Sequence, residues 1–368
     1  MNAMQRACTA VSLPVRLVSV MLLLAGTAVA GDAMATTYRV VPLQLPAGTK
    51  LTGYTDPGAM DINVTGDVVG TVLDSNAGRT YAVEWSPPDY AMHILPAEGA
   101  SSTRVTNIGD AGDILGVLNF PDASYVNVMW KSNGSYVQLA NTTPGGWGHN
   151  PGPYDVNIHG VAVGSDSSSP GKPAVWTTPQ TLRLLIRAPR DSYATAVNDS
   201  GMIVGCPIPT THPHLHGFRW TPGVGVQELD DLPDGDDHDC ANDVNNSGQI
   251  VGFGSSAIGK RAVLWDADGT SHDLGDLPGA TSDTEYWANR VNNFGDVVGS
   301  TITSPTSVYW IWTSGTGMLP IDSLIDPNDP LHGAGTFYVY DINDAGVLVA
   351  ALYQGTNSPP PVVLIPQP

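Results

Sequence analysis

Ala241-Asn242-Asp243-Val244-Asn245-Asn246-Ser247-Gly248-Gln249-Ile250-Val251-Gly252 is the clearest copy of a phrase that runs through the chain. Its pattern is a small or apolar residue, two variable residues, Ile or Val, Asn, two residues, Gly, one residue, two aliphatics and Gly. Close copies run from Ala59 to Gly70, Ala194 to Gly205 and Ala288 to Gly299. Looser copies run from Val105 to Gly116, Pro153 to Gly164 and Val339 to Ala350. The Asn column reads Asn63, Gly109, Asn157, Asn198, Asn245, Asn292, Asn343, with spacings of 46, 48, 41, 47, 47 and 51. Such self-similarity decides a fold before any single element does. The phrase itself is hairpin chemistry. Asn bonds backbone two residues on, and Gly three residues later takes the positive φ that closes the turn.

Each phrase is followed by two further strand signals. One ends in Trp: Trp85, Trp130, Trp176, Trp220, Trp265 and the pair Trp310 and Trp312. The next is amphipathic, as in Val226-Gln227-Glu228-Leu229. Four short strands in a period near 47 residues make a propeller blade. The expectation is an all-β, seven-bladed β-propeller with four-stranded blades, and tryptophans packed between blades. The seventh copy stops after its third strand, Val362-Val363-Leu364-Ile365. The spare segment Tyr38-Arg39-Val40-Val41-Pro42-Leu43 is expected to supply the fourth and close the ring without leaving an edge open.

These residues resemble the HAF-repeat family of extracellular bacterial proteins. The Ile-Asn-x-x-Gly-x-Val-Val-Gly phrase and Asp273-Leu274-Gly275-Asp276-Leu277-Pro278-Gly279 carry the resemblance, which covers essentially the whole chain after the leader. The eponymous His-Ala-Phe survives only as His216-Gly217-Phe218. The resemblance implies export and a repeat fold, and no catalytic residues.

Composition agrees with a globular, turn-rich chain: 368 residues, 42% hydrophobic, 14% charged, Gly 41 and Pro 30. The formal net charge of -20 argues against phosphate backbones and anionic membranes as partners. Residues 1-30 read as a signal peptide, with Arg6 and Arg16 before an apolar run and Ala28-Val29-Ala30 as the cleavage pattern; Ala33-Met34-Ala35 would place cleavage as late as 35. The rest, 36-368, is expected to be one propeller domain. It is expected to be a monomer, periplasmic or secreted, with no membrane span. Cys206 and Cys240 follow and precede strands of adjacent blades on the same face, so a disulfide between them is predicted.

Strand alternation puts the Asn-x-x-Gly turns and the third-to-fourth-strand turns on one face. The longer second-to-third-strand loops and the blade connections share the other, where binding residues gather. Two of those loops hold the densest polar cluster, and His212, His214, Asp236 and His238 are the candidate ligands of a divalent cation there. Asp234, Asp236, Asp237, His238 and Trp147 are the candidate binding residues, with Tyr193, Tyr286 and Trp287 as further aromatics near the same loops. His216 is read as the repeat's own histidine. A column just before each first-strand Ile/Val reads Asp61, Asn107, Asp155, Ala196, Asp243, Arg290, Asp341. It either rings the channel and holds a cation or accepts local backbone hydrogen bonds, and the second reading is favoured. No hydrolase elbow, zinc-protease helix, phosphate loop or dinucleotide fingerprint is present, and no catalytic residue is singled out. The leading expectation is a non-catalytic scaffold for an extracellular protein or polysaccharide. The alternatives are a carbohydrate-active hydrolase or lyase using carboxylates near the channel mouth, with Asp236 and Asp243 as the ones to substitute, and a purely structural envelope protein.

Overall fold

The computed structural model describes residues 36–52, 60–140, 152–166, 172–185, 188, 191–208, 216–233, 235, 238–281, 284–302, 307–355 and 358–367. Ala35–Pro368 forms one compact unit. Its described strands make seven antiparallel sheets arranged as the blades of a seven-bladed β-propeller. Blade 2 shows the plan. Ser102–Ile108 lies at the centre, followed outward by Ile114–Asn119, Tyr125–Trp130 and Tyr136–Gln138. Blade 1 departs from it. Its inner position holds two short strands, Thr49–Leu51 and Met60–Ile62, both paired to Val68–Asp74. Blade 7 closes as the sequence predicts. Tyr38–Pro42 pairs antiparallel with Pro361–Pro366, with Tyr38 opposite Pro366 and Pro42 opposite Val362. Asp329 fixes that strand by accepting the Val40 N–H at 2.8 Å. Among the described residues the one helical turn is the 3-10 turn Ile321–Leu324, and no helix is long and apolar enough to cross a membrane.

The repeat phrase has a two-part physical explanation. In blades 2 to 7 the first strand carries a bulge just before the Asp column, for example between Ala241 and Asp243. The bulge pushes a main-chain carbonyl toward the second strand. A Cβ on Gly252 would come within 1.9 Å of the Cys240 oxygen, so the closing glycine of the phrase has no room for a side chain.

The Asn column does more than shape its own hairpin. Asn245 Oδ1 accepts the Gln249 N–H at 2.9 Å and the Ser247 hydroxyl at 2.8 Å, which is the expected turn role. Its Nδ2 also donates to the Asn292 carbonyl of the next blade at 3.0 Å. The same bond runs from Asn157 to Asn198, Asn198 to Asn245, Asn292 to Asn343, and Asn343 across the closure to Asn63. Gly109 replaces Asn in blade 2 because a Cβ there would meet the Val156 oxygen of blade 3 at 2.7 Å.

Hydrophobic cores lie between neighbouring blades. Val69 and Ala82 of blade 1 pack with Val105, Ile114, Val128 and Trp130 of blade 2. The tryptophans add a directed bond. Trp85, Trp130, Trp176 and Trp265 each donate Nε1–H to a carbonyl on the segment leaving the previous blade: Gln44, Pro96, Ala140 and Asp230, at 2.7–2.9 Å. This satisfies the indole while its rings fill the gap. In blade 6, Trp312 holds the column position opposite Val297 and is only partly buried, while Trp310 is fully buried over Gly299.

Asn245→Ala removes an inter-blade bond and two turn acceptors at once from a buried site. Expected destabilisation is about 2–3 kcal/mol by guanidinium unfolding. Asn246→Ala, at the exposed neighbour, should cost well under half of that; equal losses would deny the column its fastening role.

Candidate functional site

The first strands bring the Asp column to the centre, where a cavity of about 140 Å³ opens among Asn107, Asp155, Asp243, Arg290 and Asp341. Asp61 Oδ2 accepts the Ile108 N–H at 2.8 Å and the Asn107 amide at 2.6 Å. Asp155 takes the Val197 N–H at 2.7 Å, Asp243 the Val291 N–H at 2.9 Å, and Asp341 the Ile62 N–H at 3.1 Å. Each carboxylate therefore holds the first strand of the following blade. The backbone-bonding reading holds locally for Asp155 and Asp243, which also accept the Val156 and Val244 N–H at 2.8 Å, and the bonds to the following blade are an addition to it. Asn107, Ala196 and Arg290 interrupt the pattern. The Arg290 guanidinium stands 3.9 Å from Asp341, its Nη1 donating to the Asn289 carbonyl at 3.0 Å. The Oδ1 of Asn107 is buried without a protein partner.

Packing four acids around one guanidinium raises their proton affinity. Burial pushes Asp155 up to about 7 and Asp243 up to about 6; the Asp243 charge adds to the first, while Arg290 opposes the second. Burial also raises Asp61 and Asp341, which share a hydrogen bond, and the Asp61 charge raises Asp341 further. Arg290 is held in its charged form by Asp243, Asp341, Asp61 and Asp155 against its own burial. A second ring lies at the mouth on the Asn-turn face. Asp199, Asn246, Asn293 and Asp344 are chained by backbone-to-side-chain bonds of 2.8–2.9 Å.

The opposite face carries two other features. One is a band of half-buried aromatics across blades 5 to 7. Phe253 meets Trp287 edge-on with ring centroids 6.2 Å apart, and Lys260 Nζ lies over both rings at 5.0 and 5.5 Å. Tyr309, Tyr338 and Tyr353 stack in series at 5.0 and 5.3 Å. The other is a cluster at the junction of blades 4 and 5, where His216, Asp231 and Asp239 converge. Asp239 is buried, accepts the Gly217 N–H, and is raised to about 7 by burial. The Cys206–Cys240 disulfide, with Cα atoms 4.6 Å apart, joins the same two blades beside it.

Trp147, His212, His214, Asp234, Asp236 and Asp237 lie outside the described residues. His238 is exposed, its carbonyl accepting the Ser255 N–H at 3.1 Å, and it stands outside the His216 cluster. Tyr286 is not a surface aromatic: it is fully buried, and its hydroxyl accepts the Leu277 N–H at 3.2 Å. Tyr193 packs edge-on against Tyr154 at 6.0 Å. Trp287 belongs to the aromatic band. Sequence reasoning missed Phe253, Tyr309, Tyr338 and Tyr353. Their shared signal is position, since all lie where first strands begin, second strands end or third strands begin.

No family model and no curated protein matches the chain. Solved structures do. TolB from Acinetobacter baumannii is similar with a TM-score of 0.44 and 13% identity, over 78% of this chain and 63% of that one. A putative TolB from Agrobacterium tumefaciens gives 0.39 and 11%, over 78% of this chain and 88% of that one. A structure from a study of two prolyl endopeptidases gives 0.53 and 13%, over 84% of this chain and 48% of that one. This chain thus spans about half the length of that endopeptidase chain, and the likeness supports the propeller fold alone.

The channel acids give a signed pH dependence. Their folded pKa values lie above the unfolded ones. Their contribution is therefore present below about pH 4 and is lost as pH rises through 6 and 7. Urea unfolding of Asp155→Asn and the parent at pH 5 and pH 7.5 reads this directly. The parent should lose about 2 kcal/mol more than the variant across that interval. Parallel losses would mean that Asp155 does not titrate there.

Proposed function

We propose that this chain is an exported, non-catalytic scaffold that holds an extracellular protein or polysaccharide on the face of the second-to-third-strand loops. The aromatic band over blades 5 to 7 carries the reading. Phe253, Trp287, Tyr309, Tyr338 and Tyr353 are half-buried on neighbouring blades, and Lys260 lies over two of the rings. Such rings offer flat apolar area at low entropic cost, with polar tips for hydrogen bonds. The disulfide fits an oxidising, exported setting, as does the leader-like sequence of residues 1-30. The HAF-repeat resemblance points the same way.

Asp243, the channel carboxylate of the hydrolase alternative, is engaged. Asp243 accepts two main-chain N–H groups, from Val244 at 2.8 Å and Val291 at 2.9 Å. A general acid or base must instead reach a substrate proton.

Affinity electrophoresis through a panel of soluble polysaccharides, with pull-down of exported proteins on the immobilised chain, tests the reading. Retention without product release is expected, weakened about tenfold or more by Trp287→Ala and by Tyr338→Ala. Product that accumulates with time and vanishes in Asp243→Asn would replace the scaffold with the hydrolase. Retention indifferent to both aromatic substitutions would remove this face from the reading.

A further inference from the structure

His216, Asp231 and Asp239 come from three separate stretches of chain. His216 precedes the third strand of blade 4, Phe218–Thr221. Asp231 lies on the connection that leaves blade 4, and Asp239 directly precedes the first strand of blade 5, Cys240–Val244. The fold makes them neighbours, with one ligand atom from each lying within 4.8 Å of the others. His216 Nδ1 is 3.3 Å from Asp239 Oδ2 and 3.5 Å from Asp231 Oδ1.

Those two lengths are informative. A histidine paired directly with a carboxylate closes to about 2.7–2.9 Å. The surface pair His272 and Asp266 does so, at 2.7 Å. Two ligands of one tetrahedral zinc, each bonded at about 2.0–2.2 Å, stand about 3.4 Å apart. Both His216 distances match the second spacing, although the 3.3 Å one is also a long hydrogen bond between His216 and Asp239. Asp231 Oδ1 is buried as an atom and makes no hydrogen bond, its nearest partner being His216 Nδ1 at the ion-pair distance of 3.5 Å. That is a poor place for a carboxylate oxygen unless something binds it.

The surroundings hold the three side chains in place. Asp239 is oriented by the Gly217 N–H on its other oxygen. Asp231 is fixed through its main chain, whose carbonyl accepts the Ser271 hydroxyl at 2.8 Å, while the Asp230 carbonyl before it accepts the Trp265 indole at 2.7 Å. The disulfide anchors Cys240 beside Asp239. Support of this kind is what keeps a metal site's ligands aimed. His216 and Asp231 are 21% and 34% exposed, so solvent reaches the cluster.

We propose that His216, Asp231 and Asp239 form a divalent transition-metal site, zinc first, that ties blade 4 to blade 5. One imidazole and two carboxylates suit zinc and its first-row neighbours, and an imidazole does not suit calcium or magnesium. Three protein ligands leave one tetrahedral corner for water or for an oxygen of a bound molecule. The site is independent of the aromatic band and of the scaffold reading.

The test uses the full exported chain, stripped with chelator and titrated with zinc and, separately, with cobalt(II) followed by its visible absorption. One equivalent should bind, with the intense visible bands of tetrahedral cobalt, and zinc should raise the melting temperature. His216→Ala and Asp231→Asn should each weaken binding about 100-fold or more and abolish the thermal shift. Asp231 is partly exposed, so its substitution leaves a folded protein in which the loss can be read. His238→Ala and His272→Ala should bind as the parent does. Absence of saturable binding would overturn the proposal. So would binding that survives both His216→Ala and Asp231→Asn, or that disappears only in the His212→Ala, His214→Ala double variant.

Discussion

A propeller blade has no partner within its own repeat for the edge it turns to its neighbour, so the fold depends on what crosses from blade to blade. In this chain much of that crossing is done by short polar side chains on the innermost strand. The hairpin Asn of blades 3 to 7 closes its own turn with Oδ1 and reaches the next blade's main chain with Nδ2. Two residues earlier, Asp carboxylates of blades 1, 3, 5 and 7 take the N–H of the following first strand. Apolar contact between blades is not directional. These bonds are, and they set each sheet's rotation about the axis to within a hydrogen bond's tolerance. The buried Trp rings then fill a gap whose width is already fixed.

Using carboxylates for this purpose has a cost in charge. Four acids share a narrow space with one guanidinium, and none can be hydrated as it would be outside. The protein offsets this in two ways visible in the geometry: main-chain N–H donors and the single Arg290. The channel is thus a fastening whose protonation is part of its strength. On the loop face, where the aromatic rings and the His216 cluster lie, blades 4 and 5 are fastened instead by the Cys206–Cys240 disulfide.

The architecture was legible because its signals are local and repeated. The Asn-to-Gly spacing, the Trp that ends the third strand, and the missing fourth strand of the last copy can all be counted along the chain. The pairing of Cys206 with Cys240 followed once strand direction assigned both to one face. What escaped was everything carried across blades. Nothing near Asn245 in sequence says that its amide reaches Asn292, because the acceptor lies a full repeat away. The candidate metal ligands show the same limit. The alternating His212 and His214 drew the eye as a run, whereas His216 looked like an ordinary repeat residue. Its partners, Asp231 and Asp239, become neighbours only when the connection between blades turns back over the third strand. The aromatic band was missed for a similar reason, since its members share a height on the propeller and no spacing in the chain.

The closure has a kinetic side. Six blades are built from consecutive segments and can form as those segments become available, each closing a loop of a few dozen residues. The seventh joins Tyr38 to Pro366, at almost opposite ends of the described chain. Bringing those ends together costs about 2 kcal/mol more in chain entropy than closing one repeat. No partly delivered chain can make that pairing at all. The ring is therefore sealed last, and until then the first and last blades each keep an open edge. The pairing that locks the structure thus needs both distant segments present at once.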